Sequence, residues 1–181
     1  MELALQQLNA AKTQEFVELT EFLVENSAWV LGLIAKQRPF SSRDALCDAI
    51  EARILAADRP DQIRLFKAHP ELAGVEAQAG TMTLASTGEQ GRLGLDSLGT
   101  YDLARLQRLN TQYQSRFGFP FIIALRRQPS LAAVFETFEE RLNNSVDQEI
   151  AVTVGEIMHV VRGRAARIGC VGNEAPLNDR T

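Results

Sequence analysis

Apolar residues return at helical spacing along most of the chain, and nowhere in a convincing strand alternation. Phe16, Leu19 and Leu23 fall on one face of a first helix. Beyond Arg38-Pro39-Phe40, Ser41 with Asp44 makes a capping-box-like start to a second, striped by Leu46, Ile50 and Ile54 with Ala49. Pro60 suits the first position of a third helix, which carries Ile63 and Phe66. A residue that precedes proline is pushed out of the α region, so this helix is predicted to stop near His69, ahead of Pro70.

Gly74 to Thr83 reads as a small-residue connection. Ser86-x-x-Glu89 reads as another capping box, starting a helix through Leu93 and toward Leu98. Thr100 is placed to cap the next helix, where Leu103, Leu106, Tyr113 and Phe117 keep the register. Gly118 fits the residue just past its end, and Pro120 prevents continuation. Phe121 to Leu125 is a short, wholly apolar run compatible with more than one state. Leu131, Val134, Phe138 and Leu142 mark a further helix, broken by Asn143-Asn144-Ser145 before a last one from near Asp147. The prediction is all-α: a single compact multi-helix domain over residues 1–170, with a loose tail over 171–181.

Composition narrows the classes. At 181 residues the chain can bury a sizeable core without disulfides or metals. A net charge of -4 and a pI near 5.3 argue against nucleic-acid or membrane-surface partners. Cys47 and Cys170 form no CxxC and have no histidine at ligand spacing, which suits free thiols in a reducing, cytoplasmic setting. The first residues lack a secretory pattern, and no run approaches the ~18 apolar residues of a membrane span. No metal-ligand cluster, P-loop, HExxH or GxSxG occurs, so no metal site is read from the spacing.

Candidate chemistry lies at three places. In the last helix Ile150, Val154, Ile157, Val161 and Ile168 form one stripe, and Arg164 falls inside it. Arg162 and Arg167 lie to either side, and His159 points away. A desolvated arginine needs a carboxylate, carbonyls or a bound anion; a purely structural acid fits as well as a ligand. His69 suits proton transfer, but its position by itself favours the plain reading of a helix C-terminus. A helix start at Ser86 offers free amides and the Gln90 carboxamide to a polar ligand, with Glu89 either capping it or acting in chemistry. At a helix start Glu89 would need burial to act as an acid.

The motifs SAWV at 27–30, RPF at 38–40, HPELAG at 69–74, STGEQ at 86–90 and GLDSL at 94–98 occur in that order. LNTQYQSRFGFPFIIALR at 109–126 follows, then a final helix with EI at 156 and Arg164. Together they resemble the 2-oxo-4-hydroxy-4-carboxy-5-ureidoimidazoline (OHCU) decarboxylases of urate breakdown, over residues from about 9 to 168. The resemblance implies a cofactor-free all-helical enzyme, commonly a homodimer, that acts on a small ureidoimidazoline and forms (S)-allantoin. It implies that His69 and Glu89 are catalytic. Pro70, Ser86, Thr87, Gly88, Glu89, Gln90, the backbone of Phe121, Ile122, Ile123, Ala124 and Leu125, and Arg164 would bind substrate. Two departures stand out: Ala28 replaces a usual proline, and STGEQGRLGL is unusually rich in glycine.

Two other readings compete. A non-catalytic helical binding protein would scatter His69, Glu89 and Arg164, whereas an enzyme would gather them around one cavity. A decarboxylase of a related ureido or hydantoin acid would keep the cavity and change the substrate.

Overall fold

The computed structural model describes residues 3–169, so Cys170 and the predicted tail over 171–181 lie outside the described residues. It is built almost entirely of helices: α1 (Leu5–Ala10), α2 (Thr13–Thr20), α3 (Ala28–Ile34), α4 (Arg43–Leu55) and α5 (Arg59–Lys67). Then follow α6 (Val75–Ala79), α7 (Leu84–Gly91), α8 (Thr100–Phe117), α9 (Leu131–Arg141) and α10 (Val146–Ala165). One departure from the all-helical expectation is a two-residue parallel pairing of β1 (Leu3–Ala4) with β2 (Ile168–Gly169). It ties the two ends of the described chain together.

The helix boundaries follow side-chain chemistry. Ser42, one residue beyond the expected Ser41, accepts a bond from the Ala45 amide at 3.0 Å. Asp58 caps α5 through the Asp61 amide at 3.0 Å, with Pro60 in the first turn. Gly99, with no side chain to cap, precedes α8 in place of the expected Thr100. Gly118 ends that helix at φ 79°, the left-handed conformation that glycine adopts without a Cβ penalty. The connection from Gly74 to Thr83 is not wholly irregular, since its middle winds into α6.

Ser86-x-x-Glu89 needs a larger correction. Thr83 is the cap, accepting from the Ser86 amide at 3.3 Å, so Ser86 already lies within α7. The segment has two overlapping capping patterns, and the structure uses the earlier one, with Thr83 also tied to Glu25 at 2.7 Å. The helix also stops at Gly91, short of Leu93, and the chain turns at Gly94 with φ 69°.

α10 packs along α4 and the single turn Glu21–Leu23, while α3 packs on α2 and α4. The predicted stripe of α10 is buried as expected, with Ile168 just beyond the helix in β2. A second buried group surrounds Tyr113, whose ring lies edge-on to Phe119, Phe121 and Phe138. Its hydroxyl donates to Glu149, which also takes Arg141 at 2.5 Å and the Asn144 carboxamide at 2.6 Å. Burial drives the Tyr113 phenol pKa upward, against the pull of Arg141 and with the push of Glu149. This buried ionic centre joins α8, α9 and α10 directly behind the apolar run Phe121 to Leu125.

Candidate active site

His69 is delivered by the end of α5. The Ala68 and His69 amides still reach back to Leu65 and Phe66 carbonyls, at 3.2 and 3.1 Å, and Pro70 then stops the helix. Imidazole Nδ1 lies 3.0 Å from the Leu65 carbonyl, which can only accept, so Nδ1 carries the proton. The neutral ring therefore keeps its Nε2 lone pair for other partners. His69 lines a cleft whose floor is Arg164 and whose sides come from α7 and the Phe121–Leu125 run. Loss of hydration pushes the His69 pKa below its usual 6.5, and Arg164 adds to that. The bond to Leu65 and the charges of Glu25 and Glu89 oppose the shift without reversing it.

Arg164 is almost sealed, with 4% of its side chain exposed. Each of its five N–H groups has an acceptor. Nε and Nη2 grip Glu89 at 2.9 and 2.8 Å, and Nη1 takes Glu25 at 2.8 Å and the Phe22 carbonyl at 3.2 Å. Nη2 also reaches the Ser86 hydroxyl at 3.3 Å. Of the two acids, Glu25 is 2% exposed and Glu89 28%, so Glu89 is the one presented to the cleft. With His69 neutral, two carboxylates around one guanidinium leave the cluster one net negative charge. Burial would raise the Glu25 pKa, but bonds from Thr83, Arg164 and Ser86 outweigh it and lower the value.

A second set of bonds shapes the HPELAG loop. Gln90 accepts from the Ala73 amide at 2.9 Å and donates to the Glu71 carbonyl at 3.2 Å. Asn110 donates to the Leu72 carbonyl at 3.0 Å, and Gln78 to that of Ala73 at 3.1 Å. Three carboxamides thus clasp the loop just after His69-Pro70. The far wall is fixed in the same manner, because an extended segment without strand neighbours needs other partners for its polar backbone. Arg141 donates to the Ile122 carbonyl at 2.7 Å, Glu156 accepts from the Ala124 amide at 2.7 Å, and Arg92 donates to the Leu125 carbonyl.

The cleft gathers His69, Pro70, Ser86, Glu89, Gln90 and Arg164 with Phe121, Ile122, Ile123 and Leu125. It does not gather three residues singled out from the sequence. Thr87 and Gly88 lie on the exposed side of α7, and Ala124 is turned toward Glu156. Because α7 begins at Leu84, no free helix-start amides lie at Ser86 to Gln90: the Thr87 amide, for example, bonds the Thr83 carbonyl at 2.9 Å. Leu72 and Val160 also line the cleft, and Glu25 stands behind it. Val160 was readable as the residue one turn before Arg164 on the same face. Glu25 follows apolar Phe22, Leu23 and Val24, and an acid beside such a run was a signal in itself. Among the described residues no group of three or more His, Cys, Asp or Glu could hold a metal ion.

Comparison with known proteins places the chain in a family. A family model described as OHCU decarboxylase matches residues 9–166. The 2-oxo-4-hydroxy-4-carboxy-5-ureidoimidazoline decarboxylase of Mus musculus is 37% identical over 84% of this chain and 85% of its own. The protein of that name from Haloferax volcanii is 35% identical over 91% of this chain and 95% of its own. Among solved structures, an (S)-allantoin synthase superposes with a TM-score of 0.71 at 22% identity. That match covers 92% of this chain and 54% of the synthase chain, and at such identity it speaks for the fold.

Proposed function

The chain belongs to the OHCU decarboxylase family, and we infer from this that it releases CO2 from OHCU and forms (S)-allantoin in uric acid degradation. The observation that carries the site assignment is the convergence of His69, Glu89 and Arg164 on one cleft. A binding module that merely kept the scaffold has no reason to aim a neutral imidazole and a partly exposed carboxylate at the same space.

The substrate dictates modest equipment. The carbon that loses its carboxylate carries a hydroxyl and adjoins a ring C=N bond. As the C–C bond to CO2 breaks, its electron pair forms a new C=C bond while the C=N pair moves onto nitrogen, which takes a proton. The resulting enol must then ketonise, with a proton delivered to one face of the neighbouring carbon. Stereochemistry follows from which side of the cleft supplies that proton.

In this reading Nε2 of His69 exchanges the hydroxyl proton, since its Nδ1–H is committed to Leu65. Glu89, held by Arg164 at both oxygens, orients the ureido side or shares the transfer. Arg164 holds Glu89 in place, with its own N–H groups committed to Glu89, Glu25, Ser86 and the Phe22 carbonyl. Ile123 lines the wall, and its backbone N–H and carbonyl have no partner among the described residues, which suits a urea-like edge. General acid–base assistance of this kind is typically worth ~10²–10⁴-fold. The same proposal includes one domain over residues 1–170, a cytoplasmic setting and a homodimer; sedimentation of the purified chain tests the last.

The test of the site is direct. His69→Ala and Glu89→Gln should each lose most of the rate of CO2 release from freshly generated OHCU. Full rate in both would remove them from the chemistry.

A further inference from the structure

We propose that Glu25 is a positioning residue for this reaction, setting the place of the Glu89 carboxylate through Arg164 and α7; the proposal rests on the reading of Glu89 given above. Glu25 lies in the segment after the turn Glu21–Leu23, outside every motif singled out for chemistry. It bonds at once to both elements that present Glu89.

Toward α7, its Oε1 accepts the Thr83 hydroxyl at 2.7 Å and the Ser86 hydroxyl at 3.0 Å. Thr83 caps that helix and Ser86 lies in its first turn, so Glu25 fixes the end of the helix that carries Glu89. Toward α10, Oε2 accepts Nη1 of Arg164 at 2.8 Å. The opposite edge of that same guanidinium holds both oxygens of Glu89. A planar fork gripped on one edge has little freedom on the other. Ser86 closes the ring, since its oxygen donates to Glu25 and accepts from Arg164.

The requirement is chemical as well as geometric. Every polar contact made by Glu25 is with a donor. The isosteric change Glu25→Gln would turn an N–H group either toward the Thr83 and Ser86 hydroxyls or toward the Arg164 guanidinium. Either way the charge facing Arg164 is lost. In the first case the Thr83 and Ser86 bonds survive only if their hydroxyls reverse to accept, which strands their protons. The hold on α7 loosens and Glu89 loses its fixed geometry.

Glu25→Gln, Glu25→Asp, Glu89→Gln and the double variant Glu25→Gln/Glu89→Gln are purified and compared by thermal melting, kcat and KM for OHCU. Glu25→Gln should fold and lose roughly ten- to a hundredfold in kcat, with KM changed much less. Glu25→Asp should recover part of that loss, because it keeps two acceptor oxygens. The double variant should be no slower than Glu89→Gln alone, since a residue that acts through Glu89 has nothing to add once Glu89 is disabled. Multiplying effects in the double variant, or wild-type kcat in Glu25→Gln beside an inactive Glu89→Gln, would overturn the positioning role alone. Wild-type kcat in Glu89→Gln would overturn the site reading and this role with it. If Glu25→Gln does not fold, Glu25→Asp carries the same cycle, read by the same criteria.

Discussion

Arg164 grips Glu89 through two adjacent nitrogens of one guanidinium, Nε to Oε1 at 2.9 Å and Nη2 to Oε2 at 2.8 Å. A lysine would keep the charge but present no such fork. Arg164→Lys should therefore fold and lose at least roughly tenfold in kcat, since small misplacements of catalytic groups are costly. Arg164→Met should fare worse in stability, by about 3–5 kcal/mol, because it leaves the buried Glu25 charge without its partner. Steady-state kinetics and denaturant titration separate the two effects.

The His69 pKa is held below 6.5, so the imidazole stays neutral to lower pH than a free histidine. If the neutral ring is the working form, the acidic limb of kcat/KM falls below pH 6.5. Stability moves in the same sense. A histidine whose folded pKa is depressed contributes stability above its unfolded value of 6.5 that is lost as pH falls below it. Glu25, with its pKa below 4.5, contributes stability above that value and loses it as pH falls through the folded pKa. A pH–rate profile with matching melting curves should show both, and an acidic limb above pH 6.5 would contradict the assignment.

Arg141 should matter far from the chemistry. Its guanidinium is the charge partner of the fully buried Glu149 and also holds the Ile122 carbonyl of the cleft wall. Arg141→Met is expected to cost about 3–5 kcal/mol in denaturant unfolding, the usual result of stranding one buried charge. Whatever fraction folds should also show raised KM, because Ile122 is no longer pinned.

The residues that carry the fold were easier to read than those that tune the site. Leu46, Ile50 and Ile54, or Ile150, Val154 and Val161, advertise themselves because burial is selected one turn at a time. Arg164 was legible for the same reason, as the one charge inside a buried stripe. Its partner Glu25 lies 139 residues away in the chain, and no local spacing encodes such a pairing. The placement of Ser86 was obscured by competition between two caps three residues apart. Gln90 illustrates another limit: its type suits a urea-like ligand, yet tertiary packing commits its carboxamide to Ala73 and Glu71.

Gly155 lies inside α10, and a Cβ built there meets nothing within 4 Å. Gly155→Ala should stabilise the protein by about 0.5–1 kcal/mol through helix propensity, with activity unchanged. Gly118→Ala should do the opposite, since φ 79° disfavours any side chain. Thermal melts of the two variants give the signs.

Stereospecific decarboxylation by His69 and Glu89 in this cleft is tested most directly by circular dichroism of the product formed from freshly generated OHCU, with and without the protein. The unmodified chain should give rapid accumulation of the (S) enantiomer of allantoin, and His69→Ala or Glu89→Gln slow, racemic product. Racemic product at the uncatalysed rate from the unmodified chain, or full rate and chirality from both variants, would contradict these roles.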